Sequence, residues 1–322
     1  MPIITPKYTP PKFFKNPYLQ TLYSVYLRQA PIINYKREKI LTPDKDFLYL
    51  DWLPQNPKRL AILTHGLTGD SQTRYMRGMA QTFAENNWSV LAWNMRGRGG
   101  QTSNWNHKNF HLGFTDDIRF IIDEAIKRGY EDVFLIGFSM GANIQLKYLG
   151  EEKHNIKRQI KGSIAVSAPI ELVSCGEKID HPSHKFFSIP LLKQMIGTIS
   201  SKLSILSKHI DIDRLLQVRS WKEFDEIYTT PIFGFDSVLD YRQKASSCHD
   251  LKHIQIPTLL LNAKDDPMLS EECFPENDLL KNHPFLFGEF PQYGGHLGFV
   301  NFDKNGKLWS EERCLEFAES FT

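Results

Sequence analysis

Seven short apolar runs recur along this chain: "FLYLDWL" (47–53), "RLAILTHG" (59–66), "WSVLAWN" (88–94), "DVFLIGF" (132–138), "GSIAVSA" (162–168), "TLLLNA" (258–263) and "FLFGEF" (285–290). Several carry apolar side chains at successive positions, not alternate ones, which is the pattern of strands buried on both faces in a parallel sheet. Between them, "SQTRYMRGMAQTFAENN" and "TDDIRFIIDEAIKRG" place apolar residues at helical spacing, and the second begins acidic and ends Lys-Arg-Gly, as a helix dipole favours. Strands alternating with helices predict an α/β fold with helices on both faces of a mainly parallel sheet, not a bundle or a β-sandwich. From about 171 to 250 the alternation lapses into a helical, aromatic-rich stretch, read as a cap inserted within a single domain spanning 1–322.

The composition narrows the function. At 322 residues, 41% of them hydrophobic, the chain can bury a substantial core. Its 39 Lys+Arg against 37 Asp+Glu give a formal charge of +2 with no long block of one sign, so nothing asks for nucleic acid. Cys175, Cys248, Cys273 and Cys314 are scattered, without CxxC spacing or disulfide-scaffold density, which fits a reducing compartment. Prolines and lysines interrupt the apolar residues of the N-terminal stretch, unlike a signal peptide, and no apolar run approaches the ~20 residues that span a bilayer. The expected location is cytoplasmic; a peripheral membrane contact through a hydrophobic surface would leave no such trace.

One of the buried runs feeds "GFSMGAN" (137–143), a serine between two glycines followed by a helical segment. This matches a nucleophile elbow, in which a sharp strained turn lifts the serine hydroxyl above the sheet edge; a side chain at Gly137 or Gly141 would collide with the neighbouring helix or strand. Alone, the motif also fits a small residue in an ordinary turn. A serine nucleophile needs a base and a group that orients it, and the chain order for this architecture is serine, acid, histidine, each on a loop after a strand. "LNAKDDPML" supplies Asp265 and Asp266, and "YGGHLGF" supplies His296. Asp266, three residues after the small Ala263, is the preferred acid and Asp265 the runner-up. Oxyanion donors are expected from the backbone N–H groups of Met140 and of Leu67, the latter in "THGLTGD". His65 in that loop is read as a packing or hydrogen-bonding residue, and the Met140 side chain as pocket wall.

Two other motifs carry less. "HPSH" (181–184) has the spacing of a metal pair but no accompanying cysteine or carboxylate cluster, so no metal and no cofactor is expected. "MRGRGG" (95–100) lacks the ending of a P-loop and the spacing of a dinucleotide fingerprint, and is read as a loop near the active-site face.

Taken together, "PPKFFKNPYLQTLYSVYLR", "HGLTGDSQTRYMRGMA", "WNMRGRGG", "GFSMGANIQLKYLGEE", "LNAKDDPML" and "YGGHLGF" resemble the YheT-like branch of the α/β-hydrolase superfamily. That branch includes bacterial proteins provisionally named esterases, fungal medium-chain ester synthases and mammalian abhydrolase-domain lipases. The resemblance runs nearly the whole length, weakest in the insertion, and implies an eight-strand-like sheet and a Ser139-Asp266-His296 triad acting on acyl groups without metal or cofactor. Two departures, the lack of a cysteine in "RGRGG" and Ala142 in place of a second glycine, bear on pocket shape. The expected activity is hydrolysis of a lipid-like or short- to medium-chain ester. Cap residues Phe186, Phe187, Leu191, Leu192, Ile196, Ile205 and Leu206 are candidate acyl-pocket walls. Transfer to an alcohol by the same triad, or a non-catalytic binding protein of this fold, are the alternatives.

Overall fold

All seven apolar runs are strands of one sheet. The structure, a computed structural model, describes residues 3–101, 108–275, 278–302 and 306–322. Among these, nine strands form one sheet: β1 (Ile3–Ile4), β2 (Lys36–Leu41), β3 (Phe47–Leu53), β4 (Arg59–Thr64), β5 (Ser89–Asn94), β6 (Asp132–Phe138), β7 (Ile160–Val166), β8 (Thr258–Leu261) and β9 (Leu286–Glu289), in the order β1-β9-β8-β7-β6-β4-β5-β3-β2. Only the β2–β3 and β3–β5 pairings are antiparallel. The sheet thus has nine strands where an eight-strand-like sheet is expected: the seven apolar runs and two further strands at its edges. β1 is two residues long, and β2 reads KREKIL, a charged sequence that suits an edge strand because it discourages further pairing.

Residue parity along the central strands builds two cores. Val133 and Leu135 of β6 face one side with Leu60 and Ile62 of β4, while Phe134 and Ile136 face the other with Ala61 and Leu63. On the first side pack α3 (Asp116–Lys127), through Ile118, Ile121, Ile122 and Ala125 at helical spacing, and α4 (Met140–Glu152). On the second pack α2 (Arg74–Glu85) and α8 (Trp309–Glu319). Between β7 and β8 the chain has no strand, only helices, the longest being α5 (Leu172–Asp180), α6 (Lys185–Ile199) and α7 (Val238–Ala245). Asn143 of α4, fully buried, ties this insertion down: its amide donates to the Ala245 carbonyl at 2.9 Å and its oxygen accepts from the Ser247 N–H at 3.1 Å.

The N-terminal segment packs on the core. Tyr8 Oη donates to Gln20 Oε1 at 2.8 Å and lies 2.9 Å from the Val300 carbonyl. Arg28 forms a bidentate pair with Glu311 of α8, both buried, in space left by Gly78. Between these contacts lies α1 (Pro17–Leu22), continued by a wider turn over Tyr23–Leu27.

Candidate active site

β6 ends at Phe138 and α4 begins at Met140, so Ser139 alone makes the turn, at φ 52° and ψ −121°. A non-glycine residue there is strained, by roughly 1–3 kcal/mol, and holds only because its surroundings leave no alternative. Those surroundings explain both glycines. A Cβ on Gly137 would lie 2.6 Å from Ala142 Cα, and one on Gly141 would lie 2.5 Å from the carbonyl oxygens of Thr64 and His65 at the end of β4.

His296 follows β9 on a loop that places its Nε2 2.9 Å from Ser139 Oγ. Its Nδ1 lies 2.8 Å from Asp266 Oδ2, so Nδ1 carries the proton and Nε2 is left to accept from the serine. Asp266, buried, is itself held by the Met268 N–H, which donates to Oδ1 at 2.8 Å. Asp265 points elsewhere: its Oδ1 accepts from the Gly295 N–H at 2.8 Å, and burial pushes its carboxyl up to about 6. Of the two adjacent aspartates, Asp266 is the one the fold brings to the histidine.

The loop after β4 passes against the serine, where a Cβ on Gly66 would meet Ser139 Cβ at 3.2 Å. The N–H groups of Leu67 and Met140 have no hydrogen-bond partner among the described residues, and both residues line the same cavity as Ser139 and His296. The loop is fastened at several points. The Gly66 N–H donates to Tyr75 Oη at 2.9 Å. Arg98 donates from Nε to the Gly69 carbonyl at 2.8 Å, from Nη2 to that of Thr68, and from Nη1 to Thr198 Oγ1 of α6 at 2.6 Å. "MRGRGG" therefore clasps the "THGLTGD" loop to α6.

His65 holds that loop as well, donating from Nδ1 to the Gly66 carbonyl at 2.7 Å and accepting at Nε2 from the Met95 N–H at 3.1 Å. Its burial disfavours the imidazolium and lowers the pKa from 6.5 to about 4. The folded state thus protonates later than the unfolded state as pH falls. The stability this group contributes is present above about pH 6.5 and lost between 6.5 and 4, at about 1.4 kcal/mol per pH unit. Denaturant midpoints at pH 7 and pH 5 should differ less in His65→Gln than in the wild type; an equal difference would assign the acid sensitivity elsewhere.

The cavity beside Ser139 has a volume of about 690 Å³, within the range of small-molecule sites. Of the seven cap residues expected in its wall, Phe186, Phe187 and Leu191 line it. Leu192 and Leu206 instead fill the core, Ile196 packs against it, and Ile205 does not line the cavity; Leu192 and Ile196, one helical turn apart, share the face of α6 that packs on the core. An ion pair interrupts the apolar wall: Arg242 Nε and Nη2 donate to Asp225 Oδ2 at 3.1 and 2.9 Å. His181 and His184 bond to Ser183 and to the Lys178 carbonyl. Among the described residues, no three His, Cys, Asp or Glu side chains gather as for a metal.

Sequence reasoning missed the N-terminal contribution. Thr21 Oγ1 accepts from the His296 N–H at 2.9 Å, and Tyr18, Leu22 and Tyr26 line the cavity. No local pattern connects residues so far apart.

The family profile Hydrolase_4, described as serine aminopeptidase, S33, matches residues 55–276. The chain belongs to the Hydrolase_4 family. It is a serine hydrolase of the YheT-like branch of the α/β-hydrolases, of esterase and lipase type. YheT of Escherichia coli strain K12, whose name carries a provisional esterase assignment, is 26% identical over 98% of this chain and 94% of its own. Phospholipase ABHD3 of Bos taurus is 27% identical over 93% of this chain and 74% of its own, and monoacylglycerol lipase of Saccharomyces cerevisiae 28% over 89% and 64%. Among solved structures, the esterase Pf2001 of Pyrococcus furiosus aligns with a TM-score of 0.58 at 18% identity, over 91% of this chain and 98% of that one, a likeness of fold. The turn with Ser139, the loop with Asp265 and Asp266 and the loop with His296 lie at the ends of β6, β8 and β9.

Proposed function

We propose that this chain hydrolyses carboxylic esters with a lipid-like or short- to medium-chain acyl group through an acyl-enzyme on Ser139. The observation that carries the reading is the hydrogen-bonded series from Ser139 Oγ through His296 to Asp266, on the wall of a largely apolar cavity. His296 Nε2 takes the hydroxyl proton as Oγ attacks the ester carbonyl, and returns it to the leaving alcohol. Asp266 keeps the proton on Nδ1 and stabilises the imidazolium. The Leu67 and Met140 N–H groups donate to the carbonyl oxygen as negative charge develops on it. Water then enters: His296 Nε2 takes its proton as the water oxygen attacks the acyl carbonyl, and that proton passes to Ser139 Oγ as the acyl–Oγ bond breaks and the acid leaves. The esterase and lipase names of the relatives point to the same bond.

The test is hydrolysis of p-nitrophenyl esters of increasing acyl length beside an alanine p-nitroanilide, with and without added ethanol. Turnover should peak at a short or medium chain, with anilide cleavage negligible. Preferred anilide cleavage would replace the ester by a peptide bond as substrate, and ethyl ester formation outpacing acid release would make the protein an acyltransferase.

A further inference from the structure

Basic residues are unevenly spread along this nearly neutral chain. Residues 1–37 hold six Lys or Arg and no Asp or Glu, and residues 181–210 hold four Lys and no Asp or Glu, which leaves 29 basic against 37 acidic residues elsewhere. These two acid-free segments meet in space: the Tyr18 ring packs edge-on to Phe186 at 5.1 Å and beside Phe187 at 6.1 Å. Leu22, Tyr26 and Phe186 line the cavity beside Ser139 and are also 43%, 50% and 59% exposed, so they form its mouth. In the same N-terminal segment Phe13, Leu19 and Leu27 are exposed as well, Phe13 at 88%. Arg28 and Arg37 are spent on Glu311 and Asp51, and Lys202 is buried. Lys12, Lys185 and Lys193, by contrast, are exposed, and have no acidic partner among the described residues.

Exposed apolar side chains with these unpaired lysines in the same two acid-free segments present a surface matched to lipid headgroups and the acyl layer beneath, whereas an aqueous surface would leave the apolar groups at a cost. We infer that residues 12–27, with α1 and the turn after it, and α6 from Lys185 to Lys193 form a docking face for a bilayer surface containing anionic phospholipid, with the mouth of the cavity opening onto that surface. The inference rests on the ester reading only for its consequence, that an acyl ester passes from the bilayer past Leu22, Tyr26 and Phe186 without crossing water. The face itself stands on exposure and charge. Lysines near an anionic surface act nearly additively and are screened by salt, whereas the apolar contribution is not.

The full chain is sedimented with vesicles of phosphatidylcholine alone and with about 30% phosphatidylserine, in about 0.1 M salt. The wild type should pellet with the anionic vesicles and much less with the neutral ones. The variant Lys12→Gln/Lys185→Gln/Lys193→Gln should lower partitioning onto anionic vesicles by about tenfold or more and remove its salt dependence. Phe13→Ser/Leu19→Ser/Leu27→Ser should lower it on both, and Phe13→Ser alone, at the most exposed position, serves if the triple variant does not fold. Hydrolysis of soluble p-nitrophenyl butyrate should be unchanged in all of them. A wild type that hydrolyses the soluble ester but stays in the supernatant with both vesicles, or variants that pellet like the wild type, would overturn the docking face. Vesicle binding without ester hydrolysis would overturn the ester reading and leave the face standing.

Discussion

Ser139→Ala is expected to lower kcat on a p-nitrophenyl ester by on the order of 10⁶-fold, with KM little changed. The alanine removes only the Oγ that lies 2.9 Å from His296 Nε2, so the cavity and both unpartnered amides survive to bind substrate. A residual rate well above that of water alone should therefore persist. The loss must not come from unfolding, and the backbone provides the control. Position 139 is held at φ 52° in either protein, so Ser139→Ala should unfold at nearly the same temperature as the wild type. Ser139→Gly, which adopts that φ without strain, should be equally inactive and more stable by about 1–2 kcal/mol. Stability gained as activity is lost would mark the turn as strain retained for function. Full activity in Ser139→Ala would remove the serine from the mechanism.

The second large effect separates two neighbours. Asp266→Asn should lower kcat by on the order of 10⁴-fold at neutral pH, because an amide N–H facing Nδ1 favours the tautomer with its proton on Nε2, which cannot accept from Ser139. Asp265→Asn should keep nearly full activity, since its oxygen still accepts from the Gly295 N–H. It should also gain stability at pH 8. Burial raises the Asp265 pKa from 3.8 to about 6, so the folded state disfavours the carboxylate above pH 6, and Oδ2 is buried without a partner. The amide removes that charge, and the gain should vanish below about pH 4. A kinetic defect of equal size in both variants would mean that the loop as a whole, not Asp266, positions His296.

How far such a site can be read from the chain depends on the range of the interaction that builds each part. The glycines around Ser139 are legible because their constraint is local: the turn brings Gly137 against Ala142 of the helix that follows it, and Gly141 against the end of β4. The central strands are legible because burial on both faces forces apolar residues at successive positions, whereas β2, at the edge, keeps its charges and gives no such signal. The order of Ser139, Asp266 and His296 follows from loops at one edge of a parallel sheet.

What the linear order leaves open is which of two adjacent groups turns inward and which distant segments meet. Asp265 and Asp266 share one loop, and the turn through Met268 sends one to His296 and the other to Gly295. Thr21 reaches His296 across 275 residues, Arg28 reaches Glu311 across 283, and Arg98 clasps the loop of Leu67 to Thr198. The sequence by itself determined the strand order of the chemistry, the strained serine and the helical insertion, because short-range sterics and periodic burial are written residue by residue. Only the tertiary structure decided which aspartate meets His296, the N-terminal wall of the cavity and its exposed apolar mouth, because those depend on contacts between positions that no local period relates.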